Sequence, residues 1–265
     1  MNGRVPAGSA RTPERLRAAA LVCLSALAIS CGDSKSGPNT PVSIEFNPPQ
    51  LPSMLVGDSL RDTLGRIDSL RAVVFNASGD TIQDAPLIYR RADTTHIITI
   101  DSITGHVVAQ ALGSARVVAQ TSGLQSPPDT IWVVLRPDQL ITQTAANDTI
   151  DFAVKPDSLF PLSVTVSSES IPVDHWRIEY SFIYPASFND GDSTHVLLTG
   201  ENAKFSLVDT TGISGVEGTA TRFLHKSTVA QQYNDSVVVE ARAFYPDRTV
   251  VPGSPMRFKV LVHIP

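Results

Sequence analysis

From Val42 onward the chain is written in short alternations of apolar and polar residues cut by turn residues, the period-two signature of half-buried strands. Val42-Ser43-Ile44-Glu45-Phe46 alternates cleanly and stops at Asn47-Pro48-Pro49, where prolines have no N–H to give to a ladder. Leu70–Phe75, Pro86–Arg90, Ile97–Ile100, His106–Ala109, Arg116–Ala119 and Thr130–Leu135 repeat the pattern. Gly105 and Gly113 stand in the breaks, where a tight turn asks for positive φ. Seven short strands without a helix between them predict a two-layer sandwich over residues 41–136.

Leu135-Arg136-Pro137-Asp138 reads as a joint, and beyond it the pattern is β again. Thr149–Val154, Leu162–Ser167, Trp176–Tyr184, His195–Thr199, Lys204–Val208, Thr219–His225, Ser236–Phe244 and Met256–Ile264 are expected strands. In Trp176-Arg177-Ile178-Glu179-Tyr180-Ser181-Phe182 the large apolar side chains share one face. The last two strands, joined by the proline-bearing segment 245–255, predict a terminal hairpin. The fold class expected is therefore all-β, two tandem sandwiches at 41–136 and 137–265, with no helix of useful length after residue 30.

Several residue sets in the first half resemble the signature of bacterial immunoglobulin-like domains, group 2. They are Ile98-Thr99-Ile100-Asp101, Gly105-His106-Val107-Val108-Ala109 and Gly113-Ser114-Ala115-Arg116-Val117-Val118-Ala119, preceded by Gly57-Asp58-Ser59-Leu60 and Asn76-Ala77-Ser78-Gly79-Asp80. Tyr89-Arg90-Arg91 stands where that family usually has Trp-Ser-Ser. The resemblance implies an Ig-like sandwich over residues 41–136 and roles of the kind such domains play, in adhesins and as spacers of surface proteins. The second half looks like an Ig-like or fibronectin-like sandwich of unassigned type.

Ahead of the strands stands an address. Arg4, Arg11, Arg15 and Arg17 precede an apolar run, Ala18–Ile29, too short to span a bilayer. The run ends in Ser30-Cys31-Gly32 and looks like a bacterial lipoprotein processing site; the other reading is an ordinary signal peptide with an incidental cysteine. On the first reading residues 1–30 are removed, Cys31 takes the lipid, and 31–40 is a polar tether. The partner implied is membrane lipid through Cys31, and the location is exported, lipid-anchored at the cell outer membrane, surface or periplasm. Cys23 would leave with the signal and Cys31 would carry lipid, so neither a disulfide nor a cysteine zinc site is expected.

Without the first thirty residues the balance is 17 basic against 25 acidic side chains, a net charge of −8. With no basic cluster interleaved with aromatics, nucleic acid is not an expected partner.

Several motifs could carry chemistry, each with a plainer reading beside it. Gly57-Asp58-Ser59-Leu60 spells the motif of the GDSL-type esterases, and Asp93–His96 and Asp192–His195 have that family's acid–base spacing; the plainer reading is a strand-initiating turn. Asn189-Asp190-Gly191-Asp192-Ser193 gathers oxygen ligands of the kind calcium takes, or is an acidic hairpin tip. Trp132, Trp176 and Tyr180 would make an aromatic platform for sugar rings if exposed, or core if buried. The six histidines show no metal-ligand spacing. The expected function is a non-enzymatic, cofactor-free adhesive, binding or scaffolding module with an envelope protein or polysaccharide as partner. Trp176, Tyr180, Asp190 and Asp192 are the candidate contacts, and the loops 184–194 and 210–218 of the second half are the expected working end. The alternatives are a carbohydrate-binding module and a hydrolase using Ser59.

Overall fold

The structure, a computed structural model, describes residues 37, 39–191, 194–200, 202, 204–212 and 216–265. Met1–Thr40 and Pro41–Pro265 are separate units. Of the first, the described part is a turn in which the Thr40 N–H donates to the Gly37 carbonyl. The signal segment and Cys31 lie outside the described residues.

In the second unit the chain up to Val134 builds one pair of layers. Its strands are β1 (Ser43–Asn47), β2 (Ser53–Leu55), β3 (Arg71–Phe75), β4 (Ile88–Arg91), β5 (Ile98–Ile100), β6 (Val107–Ala109), β7 (Gly113–Thr121), β8 (Leu124–Gln125) and β9 (Asp129–Val134). One layer has the order β2-β9-β7-β4, with β8 on β7 and β2 parallel to β9. The opposite layer is two separate antiparallel pairs, β1–β3 and β5–β6, with single bridges Ser69–His106 and Ser59–Val108 reaching β6. Alternation puts Ala115, Val117 and Ala119 of β7 inward against Val107, Ala109 and Ile98. Gly105 is required where it stands: φ is 69°, and a Cβ there would lie 2.8 Å from the Leu70 carbonyl oxygen and 3.1 Å from the Tyr89 ring.

From Gln139 onward ten strands build the second pair. They are β10 (Gln139–Thr142), β11 (Asn147–Asp151), β12 (Phe160–Ser168), β13 (Ile171–Pro172), β14 (Arg177–Tyr184), β15 (Val196–Thr199), β16 (Val208–Thr210), β17 (Thr219–Lys226), β18 (Tyr233–Ala243) and β19 (Met256–Ile264). One sheet runs β10-β12-β17-β15 with β13 on β12, the other β11-β19-β18-β14-β16. The expected terminal hairpin is β18–β19, nine antiparallel pairs from Tyr233–Ile264 to Ala241–Met256. The strand expected at Lys204–Val208 starts only at Val208. The chain changes sheets there: Phe205 bridges Thr199 on the β15 side, and Val208–Thr210 then pairs with β14. The only described helix is a five-residue 3-10 segment, Ala186–Asp190.

The fold is thus all-β and two-layered twice over. The two cores are not sealed from each other. Leu55, on β2 of the first pair of layers, packs in the core of the second, and Val134 and Leu135 lean on that same core. Ser53 Oγ donates to the His175 carbonyl at 2.7 Å, and Trp132 stacks on the His175 ring at 3.9 Å. The Arg136 guanidinium lies 4.1 Å over the Tyr245 ring, whose hydroxyl donates to the Pro137 carbonyl at 2.5 Å.

Candidate functional site

The esterase-like motif is consumed by the fold. The Gly57 N–H donates to Ala109 and Ser59 is bridged to Val108, so the motif starts a strand pairing on β6. The Asp58 carboxylate accepts the Ser59 N–H at 2.8 Å and the Arg61 guanidinium at 3.0 Å. Asp93 is similarly committed, accepting from the Thr95 hydroxyl at 2.6 Å and, through its other oxygen, from the Arg116 N–H at 2.5 Å. Burial alone would raise its carboxyl, but these hydrogen bonds outweigh it and hold the acid below its ordinary range. His195 packs its ring on Phe188 and Tyr233, while Asp192, the acid of its expected pair, lies outside the described residues.

The aromatic contacts expected at Trp176 and Tyr180 need correction. Trp176 is 3% and Tyr180 2% exposed, so no sugar ring can stack on either. Tyr180 sits on the inner face of β14, its hydroxyl 3.0 Å from the Ala220 carbonyl and 3.2 Å from that of Leu162, and burial pushes its phenol pKa up. Trp176 meets Tyr245 edge-on at 6.2 Å. In the loop 189–193, Asn189 spends its amide on the backbone: its Oδ1 accepts from Phe182 N–H at 2.7 Å and its Nδ2 donates to Phe182 and Ala186 carbonyls. Asp190 follows at the end of the 3-10 segment, with Gly191 in the left-handed region at φ 80°. Among the described residues no three His, Cys, Asp or Glu side chains converge to hold a metal ion, and no described helix is long and apolar enough to cross a membrane.

Three arrangements escaped the sequence reading. Arg222 takes an inward position on β17 and pairs with Asp209 of β16 at 3.1 Å, and its guanidinium also donates to Ser206 Oγ and the Val208 carbonyl. On the outer face of β18, Glu240 is fully covered by Arg242 and Arg257. Nearby Glu179 is held below its ordinary range, because Arg248 and Arg177 outweigh the upward push of its burial.

The third is a groove of about 600 Å³ where the two layers of the first half face each other edge to edge. Strand β4 ends one layer and β5 ends a pair in the other. Arg90 and Arg91 of β4, His96 of the connecting turn, Thr99 of β5 and Gln110 beyond β6 line it. Arg91 Nη1 lies 3.5 Å from His96 Nδ1, and Gln110 Nε2 3.4 Å from Thr99 Oγ1. The identities of the two arginines do not encode their setting: that β4 and β5 are facing edges is a fact of long-range pairing.

No known family profile and no curated protein matches the chain. Solved structures of similar fold include the Yersinia pseudotuberculosis adhesin InvE, at 12% identity and TM-score 0.34 over 84% of this chain. The D00-D0 domain of intimin matches at 12% identity and TM-score 0.29, over 84% of this chain and all of that one. The fibronectin(III)-like modules of Clostridium thermocellum CbhA match at 13% identity and TM-score 0.29, over 83% of this chain and 94% of that one. The chain spans 58% of the InvE structure. These likenesses are of fold.

Proposed function

We propose that this chain is a non-enzymatic module of the cell envelope, anchored by lipid at Cys31, tethered by residues 31–40, and built of two Ig-like domains, 41–136 of the group 2 bacterial type and 137–265, that present a binding surface. The observation that carries the reading is the joint. Leu55 in the neighbouring core, the Trp132–His175 stack and the Arg136–Tyr245 contact couple the two sandwiches into one compact unit. Such coupling suits a rigid presenting arm, since domains that move independently share a smaller, more polar interface. The commitment of Asp58, Ser59 and Asp93 to turns and pairings supports a binding role over a hydrolytic one.

Two measurements test it. In the native host the chain partitions with membranes, and Cys31→Ser moves it to the soluble exported fraction; a Cys31→Ser chain still held in the membrane contradicts the anchor. Beads coated with the chain retain cell-envelope fragments more than beads coated with an unrelated acidic protein; equal retention contradicts the binding role. Hydrolysis of a chromogenic acyl ester, lost in Ser59→Ala, would put the hydrolase in its place.

A further inference from the structure

We infer that the groove between β4 and β5 binds an anionic polysaccharide, whose sugar carboxylates or sulfates pair with Arg90 and Arg91 and whose hydroxyls meet Thr99 and Gln110. The inference rests on the binding-module reading and names its ligand class.

The first support is charge. In a chain of net charge −5 this groove is cationic. Its one acid, Asp93, accepts hydrogen bonds from Thr95 and the Arg116 N–H and keeps its charge, attracted to Arg91, so two guanidiniums stand against one carboxylate. Among the described residues Arg90 and Arg91 make no ion pair, whereas Arg177, Arg222, Arg242, Arg248 and Arg257 of the second sandwich all do. Arg90 is exposed and Arg91 half-buried, the latter with its Nη1 3.5 Å from His96 Nδ1. A guanidinium offers a planar fork of donors that fits a carboxylate or sulfate bidentately.

The second support is that two arginines stand in succession on this edge strand. A sandwich edge needs no such charges to fold, and long cationic side chains facing solvent contribute little to stability.

The lining also selects between occupants. An extended acidic peptide would add itself as a strand, which takes about five residues of free edge. Here the Tyr89 N–H already donates to the Ser102 carbonyl at 2.9 Å, closing the two edges at one end. What remains is a short mouth furnished with side-chain donors and acceptors. Tyr89 is 7% exposed, so ring stacking adds little and a neutral glycan would be held poorly.

The test uses the full chain in affinity electrophoresis against polygalacturonate (carboxylate), dextran sulfate (sulfate), dextran (neutral) and polyglutamate (peptide). One or both anionic polysaccharides retard the chain, and which of them does so identifies the anion. Retardation weakens at least about tenfold for each of Arg90→Ala and Arg91→Ala, falls as salt rises, and is unchanged by the remote Lys155→Ala. Arg91→Lys keeps the charge and loses the fork, and lies between. Should the arginine variants prove misfolded by circular dichroism, Thr99→Ala with Gln110→Ala, both at exposed positions, carries the same expectation. Binding that survives these variants in folded protein, equal binding to dextran, binding to polyglutamate in preference to the polysaccharides, or no binding to either anionic polysaccharide overturns the inference. If envelope fragments are still retained when the groove variants are not distinguishable from wild type, the groove fails and the binding module stands. If polygalacturonate binds through the arginines but envelope fragments are not retained, the groove stands and the module reading fails.

Discussion

The two sandwiches solve the same problem with different means. The second has two continuous five-stranded sheets, strands of eight to eleven residues at its centre, and a core rich in large rings, among them Phe152, Trp176, Tyr180, Phe182 and Phe258. The first has, apart from β7, strands of two to six residues, one layer split into two pairs, and a core whose only buried ring is Tyr89, filled otherwise by Val, Ala, Ile, Leu and Met. Apolar burial stabilises roughly in proportion to area, at about 25 cal/mol per Å², so the second sandwich holds the larger reserve. The first leans on turns that fit one residue type, such as Gly105, and on its neighbour through Leu55. A split layer with facing edges also leaves the groove beside β4 and β5. Stability and an open edge are thus assigned to different halves.

The contrast can be broken or sharpened by four changes. The largest effect is expected at the buried pair of the second sandwich: Asp209→Ala leaves the Arg222 guanidinium uncompensated and costs about 3–5 kcal/mol, read as a lowered urea midpoint. A loss within error of zero would mean that water reaches Arg222 and that this core is not sealed. Next comes Leu55→Ala, expected to cost about 2–5 kcal/mol. Because Leu55 belongs to a strand of one sandwich and the core of the other, wild type should unfold in one transition and this variant should begin to separate two. Two transitions already in wild type would show that the joint does not couple the halves.

Gly105→Ala strikes the first sandwich. Positive φ at a residue with a Cβ costs about 1–2 kcal/mol, and the close Leu70 carbonyl adds to it; the thermal midpoint falls, and an unchanged midpoint would show that the turn can relax.

The smallest effect is expected at His175. Burial pushes the His175 imidazole pKa down, with Asp174 opposing weakly. The folded state therefore binds this proton less readily than the unfolded chain does. Stability from the Trp132–His175 stack is full above the ordinary value of about 6.5 and declines as pH falls from there through the lowered folded value. Tryptophan fluorescence through an acid titration reads this, and His175→Gln flattens that part of the profile. A profile identical in the variant would place the pH response elsewhere.

Much of the fold was legible because strand propensity is a local property: alternation in Val42–Phe46, Leu162–Ser167 and Met256–Ile264 is set by side chains pointing to opposite faces. Elements made by context were not. Ser53–Leu55 is three residues behind a run of prolines, and it is a strand because β9 offers it a parallel partner. The stretch from Lys204 to Thr210 divides its pairing between two sheets, which no periodicity encodes. For the candidate site the difference is sharper. The residue types at Trp176 and Tyr180 fit a platform as well as a core, and only burial separated the two.

The order of residues thus determined an all-β chain with its breaks at Gly105 and near Pro137, an acidic balance, and the identity of Arg90 and Arg91. Tertiary structure alone decided that Arg222 meets Asp209, that Leu55 crosses into the neighbouring core, and that β4 and β5 face one another across an open groove. The physical reason is range: alternation and turn chemistry act over a few residues, whereas sheet order is fixed by which distant edges and faces bury the most surface together.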